Sequence, residues 1–217
     1  MLDDEAAVAE AIRKAGPRLA FQRLMAENDA LIRSPELDNG RLIAAARSAI
    51  YTGLVRAWAG EQHRAFGYDK PFAVVALGGT GRAEMAPCSD NDFAFLFDDA
   101  LEGNPFLLEL QRQVLHSDEF ADEHGFDCLA FPFSLEAVPN LADKQLNSFL
   151  DMRPVYDPSG LADLFRERIR STFDPFEHFL HVRSFWKDRW EKAAGESERL
   201  DRFDIKNDGL RVFLAGV

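Results

Sequence analysis

Two carboxylates stand two residues apart in the middle of the chain, a short distance after a glycine-rich stretch. The glycine-rich stretch spans residues 78–82 (GGTGR), and the acids are Asp90 and Asp92. Apolar runs flank this region at 72–77 and 93–97. Glycine allows backbone amides to approach phosphate oxygens closely, and carboxylates are hard ligands for divalent cations. The arrangement therefore predicts a site that holds a polyphosphate together with metal ions.

The spacing of the two acids places them on one face of the chain. They come directly before the second apolar run, which we expect to be a strand, and side chains two apart in a strand share a face. Carboxylates aimed at one point repel each other, and a divalent cation is the usual means of stabilising them. With a third acid, such a pair can hold two Mg²⁺ ions about 3.5–4 Å apart, as in phosphoryl-transfer sites. The alternative is a simple turn in which Ser89 and Asp90 cap backbone amides.

These residues resemble a known superfamily, the nucleotidyltransferases that include DNA polymerase β. In that superfamily a hydrophobic residue and two small residues precede Asp-x-Asp, as Leu77-Gly78-Gly79 precedes Asp90-Asn91-Asp92 here. The fuller pattern, G-G-x-G-R-x-E-x-x-P-x-S-D-x-D, is similar to the nucleotidyltransferase domain of bacterial PII-protein uridylyltransferases and their relatives. The matching positions are Gly78, Gly79, Gly81, Arg82, Glu84, Pro87, Ser89, Asp90 and Asp92. Asn91 departs from the superfamily, which usually has an apolar residue there.

The resemblance implies metal-dependent transfer of a nucleoside monophosphate from a nucleoside triphosphate to an acceptor hydroxyl, with Mg²⁺ or Mn²⁺ as cofactor. The implied catalytic and metal-binding residues are Asp90, Asp92 and a third acid on a neighbouring strand. Asp127 is our candidate for that acid, although Asp122, Glu123 and Glu136 are near enough to compete. The nucleotide-binding candidates are Gly78, Gly79, Thr80, Gly81, Arg82, Ser89, Lys206 and Arg211.

Several of these roles have alternatives. Arg82 either contacts phosphate or pairs with Glu84 or another acid. Ser89 either bonds phosphate or caps the turn, and Lys206 and Arg211 are either triphosphate contacts or solvated charges.

Two later segments also resemble the uridylyltransferases. Residues 147–158 are similar to the helix and loop that follow the catalytic sheet in those enzymes. Residues 204–211 are similar to a Lys…Gly-Gly-Leu-Arg-Asp segment, with one glycine missing and Val212 in place of the aspartate.

The resemblance leaves the acceptor open. A regulatory protein that receives UMP or AMP on a tyrosine is one possibility, and a small molecule is another. A catalytically silent nucleotide-binding regulatory module is the alternative of a different class.

Composition narrows the range of partners. The chain has 217 residues, 47% of them hydrophobic and 29% charged, with a formal net charge of −12. Without a stripe of Lys and Arg, nucleic acid is not expected as a partner. Two cysteines exclude a disulfide framework, and the chain has neither a membrane-spanning run nor a recognisable signal peptide, so we expect a cytoplasmic protein. The apolar run 210–217 suggests a piece of a longer protein.

Periodicity predicts a mixed α/β (α+β) fold, with a small mixed β-sheet as the nucleotidyltransferase core between N-terminal and C-terminal helices. The expected regions are a helical region 1–68, the core 69–140 and a helical region 141–217. Helices are predicted over 4–33 with a break at Gly16-Pro17, 41–66, 105–116, 140–151, 159–171 and 175–196. Strands are predicted over 72–77, 93–97 and 126–133.

Overall fold

The computed structural model describes most of the first four-fifths of the chain. The described residues are 5–34, 40–87, 89, 91–116, 131–141, 143–176, 179–180, 183–184 and 187. Residues Met1–Ser171 form one compact unit and Thr172–Val217 a second. Within the second unit, the described residues at 175–176, 179–180, 183–184 and 187 are helical, in agreement with the helix predicted over 175–196.

Three helices open the chain: α1 (Glu5–Ala15), α2 (Pro17–Ile32) and α3 (Gly40–Phe66). Gly16 has φ 79° and precedes the proline that begins α2, so the predicted break is confirmed. Gly67 ends α3 with φ 68°, and its amide donates to the His63 carbonyl at 3.1 Å. Each of the three helices contacts the other two.

A four-stranded sheet follows, with strands β1 (Phe72–Ala76), β2 (Phe93–Phe97), β3 (Phe131–Ser134) and β4 (Arg153–Tyr156) in the order β3-β2-β1-β4. Strand β1 is antiparallel to β2 and β4, whereas β2 and β3 are parallel. The predictions for β1 and β2 are confirmed, and both strands are buried along their whole length. β3 lies at the sheet edge, where Pro132 is tolerated.

The region after β3 differs from the prediction. The helix predicted over 140–151 is present but shorter, as α6 (Asp143–Phe149), and an unpredicted 3₁₀ helix (Leu135–Asn140) precedes it. β4 replaces the loop expected after it and pairs with β1 inside the segment assigned to a helical region. This four-residue strand contains Pro154 and only one fully buried side chain, Val155, so its apolar pattern was too short to predict a strand.

Three further helices complete the described elements. The single turn α4 (Gly78–Gly81) follows β1, α5 (Pro105–His116) follows β2, and α7 (Leu161–Thr172) follows β4. The predicted cap of α5 is confirmed, because the Asn104 side-chain oxygen accepts from the amides of Phe106 and Leu107 at 3.0 and 3.1 Å.

Helices cover both faces of the sheet. Alternate β1 and β2 residues, such as Phe72 and Phe95, pack in one cluster with α1, α2, α3 and α5. The intervening residues, such as Val75 and Leu96, pack in a second cluster with α6 and α7. The predicted mixed α+β class is confirmed. No helix in the described part of the chain is long and apolar enough to cross a membrane.

The contact between α1 and α3 depends on a glycine. A Cβ on Gly53 of α3 would lie 2.6 Å from Cγ1 of Val8, which is fully buried in α1. Alanine favours helix over glycine by about 1 kcal/mol, but overpacking costs about 1–3 kcal/mol. We therefore expect Gly53→Ala to lower the free energy of unfolding, as measured by urea denaturation. Gly40→Ala in the same helix is the control, since its Cβ would meet nothing within 4 Å. An equally stable Gly53→Ala protein would contradict this packing.

Candidate functional site

The two ends of the segment between β1 and β2 are held together. The amide of Leu77, directly after β1, donates to the carbonyl oxygen of Asp92, directly before β2, at 2.9 Å. This bond extends the antiparallel pairing of Ala76 with Phe93. The glycine-rich turn that begins at Gly78 therefore lies beside Asp92.

The turn itself presents backbone amides. The first helical bond runs from the Gly81 amide to the Leu77 carbonyl at 2.9 Å. The amides of Gly78, Gly79 and Thr80 precede it, so the turn offers them no internal acceptor. Gly78 has φ 53°, a conformation that favours glycine. These three amides are the groups that a phosphate could accept from.

The Asp92 carboxylate lies against the start of this turn. A Cβ on Gly78 would be 3.3 Å from Oδ2 of Asp92, whose side chain is exposed. A carboxylate and backbone amides without internal acceptors are thus side by side.

The opposite side of the turn is closely packed. A Cβ on Gly81 would lie 2.9 Å from the Ala76 carbonyl oxygen and closer still to that of Asp151. Arg153 of β4 donates from Nε to the Gly81 carbonyl at 3.0 Å and from Nη2 to the Thr80 carbonyl at 3.2 Å. The positively charged guanidinium of Arg153 therefore binds the carbonyl end of the turn, where the peptide dipoles favour positive charge.

Arg82 pairs with two acids. Its Nε donates to Oε2 of Glu84 at 2.9 Å, and its Nη1 donates to the carboxylate of Asp151. Burial opposes the charge of Arg82, but these carboxylates outweigh it and raise the pKa of the guanidinium. Of the two roles predicted for Arg82, the structure contains the pairing with Glu84, and it adds Asp151 as a second partner.

A second charged group joins the turn to the N-terminal helices. Glu5 of α1 accepts from Nη1 of Arg153 at 2.7 Å and from Nη2 of Arg56 in α3 at 2.8 Å. Arg56 also donates from Nε to the Val155 carbonyl at 2.7 Å. The sequence carries no signal for these partners, since Glu5 and Arg153 are 148 residues apart.

Two further local features of the turn were not predicted from the sequence. Ala83 has φ 60°, which costs about 1–2 kcal/mol for a residue with a side chain. The buried Thr80 hydroxyl has no hydrogen-bond partner among the described residues. Such departures from low-energy structure occur most often at functional sites.

The structure describes part of the predicted site. Its described members are Gly78, Gly79, Thr80, Gly81, Arg82, Ser89 and Asp92, whereas Asp90, Asp127, Lys206 and Arg211 lie outside the described residues. Ser89 is exposed, and its amide donates to the Ala86 carbonyl at 3.0 Å.

The third acid remains a prediction. Of the competitors, Glu136 is exposed in the first turn of the 3₁₀ helix, and Asp122 and Glu123 lie outside the described residues. Within the described part of the chain, no three His, Cys, Asp or Glu side chains converge to hold a metal ion.

The packing around Gly81 predicts a large difference between two neighbouring glycines. Gly81→Ala should lower the free energy of unfolding by about 3 kcal/mol, because the new methyl group would lie inside contact distance of two backbone oxygens. Gly79→Ala is the matched control, since its Cβ would lie 3.6 Å from the nearest atom, the Glu84 carbonyl oxygen. Chemical denaturation of both variants measures the difference. Similar losses in the two proteins would show that the turn is not packed in this way.

The ion pairs of Glu5 with Arg56 and Arg153 predict that the stability of the fold depends on pH. Burial raises the pKa of Glu5, but the hydrogen bonds and charges of Arg56 and Arg153 outweigh it and hold that pKa below its ordinary value. A carboxylate with a lowered pKa stabilises the fold at neutral pH and loses this effect as the pH falls through the lowered pKa. Wild type should therefore exceed Glu5→Gln in stability by up to about 1 kcal/mol at pH 6–7.

This stability difference should shrink as urea denaturation is repeated towards pH 3. Glu61→Gln, an exposed change on α3, provides the control. A difference between wild type and Glu5→Gln that grows on acidification would contradict the assigned pairing.

Comparison with known proteins bears on the same segment. Residues 33–117, less than half of the chain, match the family model described as "Putative nucleotidyltransferase DUF294". No curated protein matches the chain. The match includes α3, β1, the glycine turn, Asp92 and β2, and it leaves the closer resemblance to PII-protein uridylyltransferases as a prediction. In this segment the chain is similar to nucleotidyltransferases, which supports nucleotidyl transfer as its general activity.

Proposed function

We propose that the protein is a metal-dependent nucleotidyltransferase that moves a nucleoside monophosphate from a nucleoside triphosphate to an acceptor hydroxyl. One observation carries the proposal: the Asp92 carboxylate lies against Gly78, at the amide end of the glycine turn. The similarity of residues 33–117 to nucleotidyltransferases supports it.

The turn supplies the triphosphate contacts in this proposal. The amides of Gly78, Gly79 and Thr80 bind phosphate oxygens, and the absence of a side chain at positions 78 and 79 lets the phosphates come close. Arg153 bonds the carbonyls of Thr80 and Gly81, which fixes the direction of the turn before a ligand arrives.

The acids supply the metal ligands. Asp92 fits a divalent cation, because its exposed carboxylate offers hard oxygens beside the amides that would hold the phosphates. Asp90, two residues before Asp92, is the proposed second ligand, and Asp127 is the proposed third. Bound Mg²⁺ or Mn²⁺ would neutralise phosphate charge and activate the acceptor hydroxyl.

The chain then needs only to align the reactants. The acceptor hydroxyl loses its proton to solvent as its oxygen bonds to the α-phosphorus. The bond from that phosphorus to the bridging oxygen breaks, and pyrophosphate leaves with the electron pair of that bond. Positioning and charge neutralisation provide most of the rate in such transfers, so rigid support of the turn and of Asp92 is the main contribution of the protein.

The proposed acceptor is a hydroxyl on a regulatory protein, which would receive UMP or AMP. This finer assignment rests on the resemblance of residues 78–92 to PII-protein uridylyltransferases. A small-molecule acceptor and a silent nucleotide-binding module are the alternatives that experiment must separate.

Calorimetry with each of the four nucleoside triphosphates and Mg²⁺ tests the proposal. We expect one triphosphate or more to bind wild type, and we expect Asp92→Asn to lose most of this Mg²⁺-dependent binding. If turnover is measured, Asp92→Asn should lower kcat by about 10²–10³-fold, as when one electrostatic stabiliser of a transition state is removed. Absence of Mg²⁺-dependent binding by wild type would overturn the proposal.

Asp98→Asn is the matched control. Asp98 is exposed just beyond the far end of β2, so the variant makes the same change of charge away from the turn. Incubation with triphosphates labelled at the α-phosphate then separates the acceptors: label in a protein band indicates a protein acceptor, and label in a small product indicates a metabolite. Binding without any transfer would favour the silent module.

A further inference from the structure

The chain reverses direction directly after the glycine turn. The Glu84 amide donates to the Gly79 carbonyl at 2.8 Å, and the Ala83 amide donates to the Thr80 carbonyl at 3.3 Å. Together with φ 60° at Ala83, these two bonds form a Schellman motif, an arrangement that commonly ends a helix. The motif occupies two carbonyl oxygens of the turn and so fixes the direction of their peptide groups.

Ala83 makes this reversal costly. Its position in a Schellman motif is usually taken by glycine, which adopts positive φ without steric cost. A residue with a side chain is strained there, because its Cβ comes too close to the following carbonyl oxygen. Strained backbone persists only when the surrounding structure holds it. The reversal therefore needs support from outside the turn.

Ser48 of α3 makes a contact directly beyond the reversal. Its hydroxyl oxygen accepts from the Met85 amide at 3.1 Å, and the same hydroxyl donates to the Ala44 carbonyl at 2.9 Å. Because a hydroxyl has one donor and two acceptor lone pairs, both bonds can form at once. Ser48 is fully buried and Met85 is 1% exposed, so water has no easy access to replace the hydroxyl as acceptor. A buried helix thus anchors the chain just after Ala83.

A purely local role of the Ser48 hydroxyl is the alternative. Serine and threonine in helices commonly bond a carbonyl of the preceding turn, and that contact alone would give Ser48 no role at the site. Thr52, one turn further along α3, shows this simpler arrangement, since its hydroxyl donates to the Ser48 carbonyl at 2.8 Å. Ser48 differs because it also accepts from a residue 37 positions away, in the segment that closes the turn.

We propose that Ser48 is a positioning residue that, through the Met85 amide, keeps Ala83 in its strained conformation and the glycine turn in the form that binds triphosphate. The inference rests on the proposed function. Without this bond, relaxation of Ala83 would move the Glu84 amide away from the Gly79 carbonyl. The freed carbonyl oxygen carries a partial negative charge and belongs to the turn whose amides bind phosphate in the proposal, so it would oppose binding.

Ser48→Ala tests the inference in the intact protein, because it removes the acceptor and introduces a residue that favours helix. Calorimetry with ATP, GTP, CTP and UTP in the presence of Mg²⁺ gives the Kd of each triphosphate that binds wild type. We expect Ser48→Ala to raise this Kd about tenfold, since the apparent Kd rises as the fraction of molecules in the competent conformation falls. Thr52→Val is the matched control: it also removes a fully buried hydroxyl from α3, and it should leave the Kd unchanged.

Ala83→Gly separates positioning from a general effect on stability. Glycine adopts positive φ without strain, so the turn of this variant should depend much less on the Ser48 hydroxyl. Adding Ser48→Ala to Ala83→Gly should therefore raise the Kd by no more than about threefold, because the two positions are coupled. A Ser48 that is only structural would weaken binding equally in both backgrounds.

Hydrogen exchange of the Glu84 amide, followed by NMR without ligand, reports on the turn itself. This amide should exchange about tenfold faster in Ser48→Ala than in wild type, and at the wild-type rate in Thr52→Val. Unchanged exchange in Ser48→Ala would overturn the inference.

The binding data distinguish the inference from the proposed function. A triphosphate Kd within about twofold of wild type in folded Ser48→Ala, or equal losses with alanine and with glycine at position 83, would overturn the inference and leave the proposed function intact. A wild-type protein that binds none of the four triphosphates would overturn both.

Discussion

The antiparallel pairing of β1 with β2 is the constraint on which the candidate site depends. It brings the Leu77 amide to within 2.9 Å of the Asp92 carbonyl oxygen, so residues far apart in the glycine-to-acid stretch become neighbours. The strands are buried along their length, and a shift of register by one residue would turn every side chain of a strand to the opposite face. The same packing that stabilises the sheet therefore fixes the distance between the glycine turn and the carboxylate.

Elements outside the β1–β2 pair also support the glycine turn. Arg153 of β4 bonds its carbonyls, and Glu5 of α1 holds Arg153. From α3, the Ser48 hydroxyl accepts from the Met85 amide at 3.1 Å, just after the turn. The N-terminal helices therefore do more than cover one face of the sheet. They contribute polar contacts to the segment between β1 and β2, which is consistent with a family match that begins before α3 and ends after β2.

Local sequence patterns predicted most of the helices and strands. The features that were not predicted depend on contacts between residues far apart in the sequence. Gly16-Pro17, Asn104-Pro105 and the apolar runs of β1 and β2 carry their signals within a few residues, and these predictions are confirmed. β4 was not predicted because its four residues form a strand through their pairing with β1. The contacts of Arg153 and the second partner of Arg82 could not be predicted for the same reason, since each joins segments that only the folded chain brings together. Glycine spacing did indicate the turn, but the conformation of Ala83 is imposed by the bonds on either side of it.

The charges around the turn bear on how a triphosphate would be held. Arg82 is paired with Glu84 and Asp151, and the Arg153 and Arg56 side chains share Glu5. The described arginines nearest the turn are thus already matched by carboxylates, and Asp92 adds a negative charge beside Gly78. Amide dipoles alone compensate a highly charged anion poorly when a carboxylate lies next to them. In the proposed reaction the additional positive charge has to come from divalent cations held by the acids, aided by Lys206 and Arg211 if they reach the phosphates. The proposed requirement for metal thus follows from charge balance as well as from the resemblance of the acid pair.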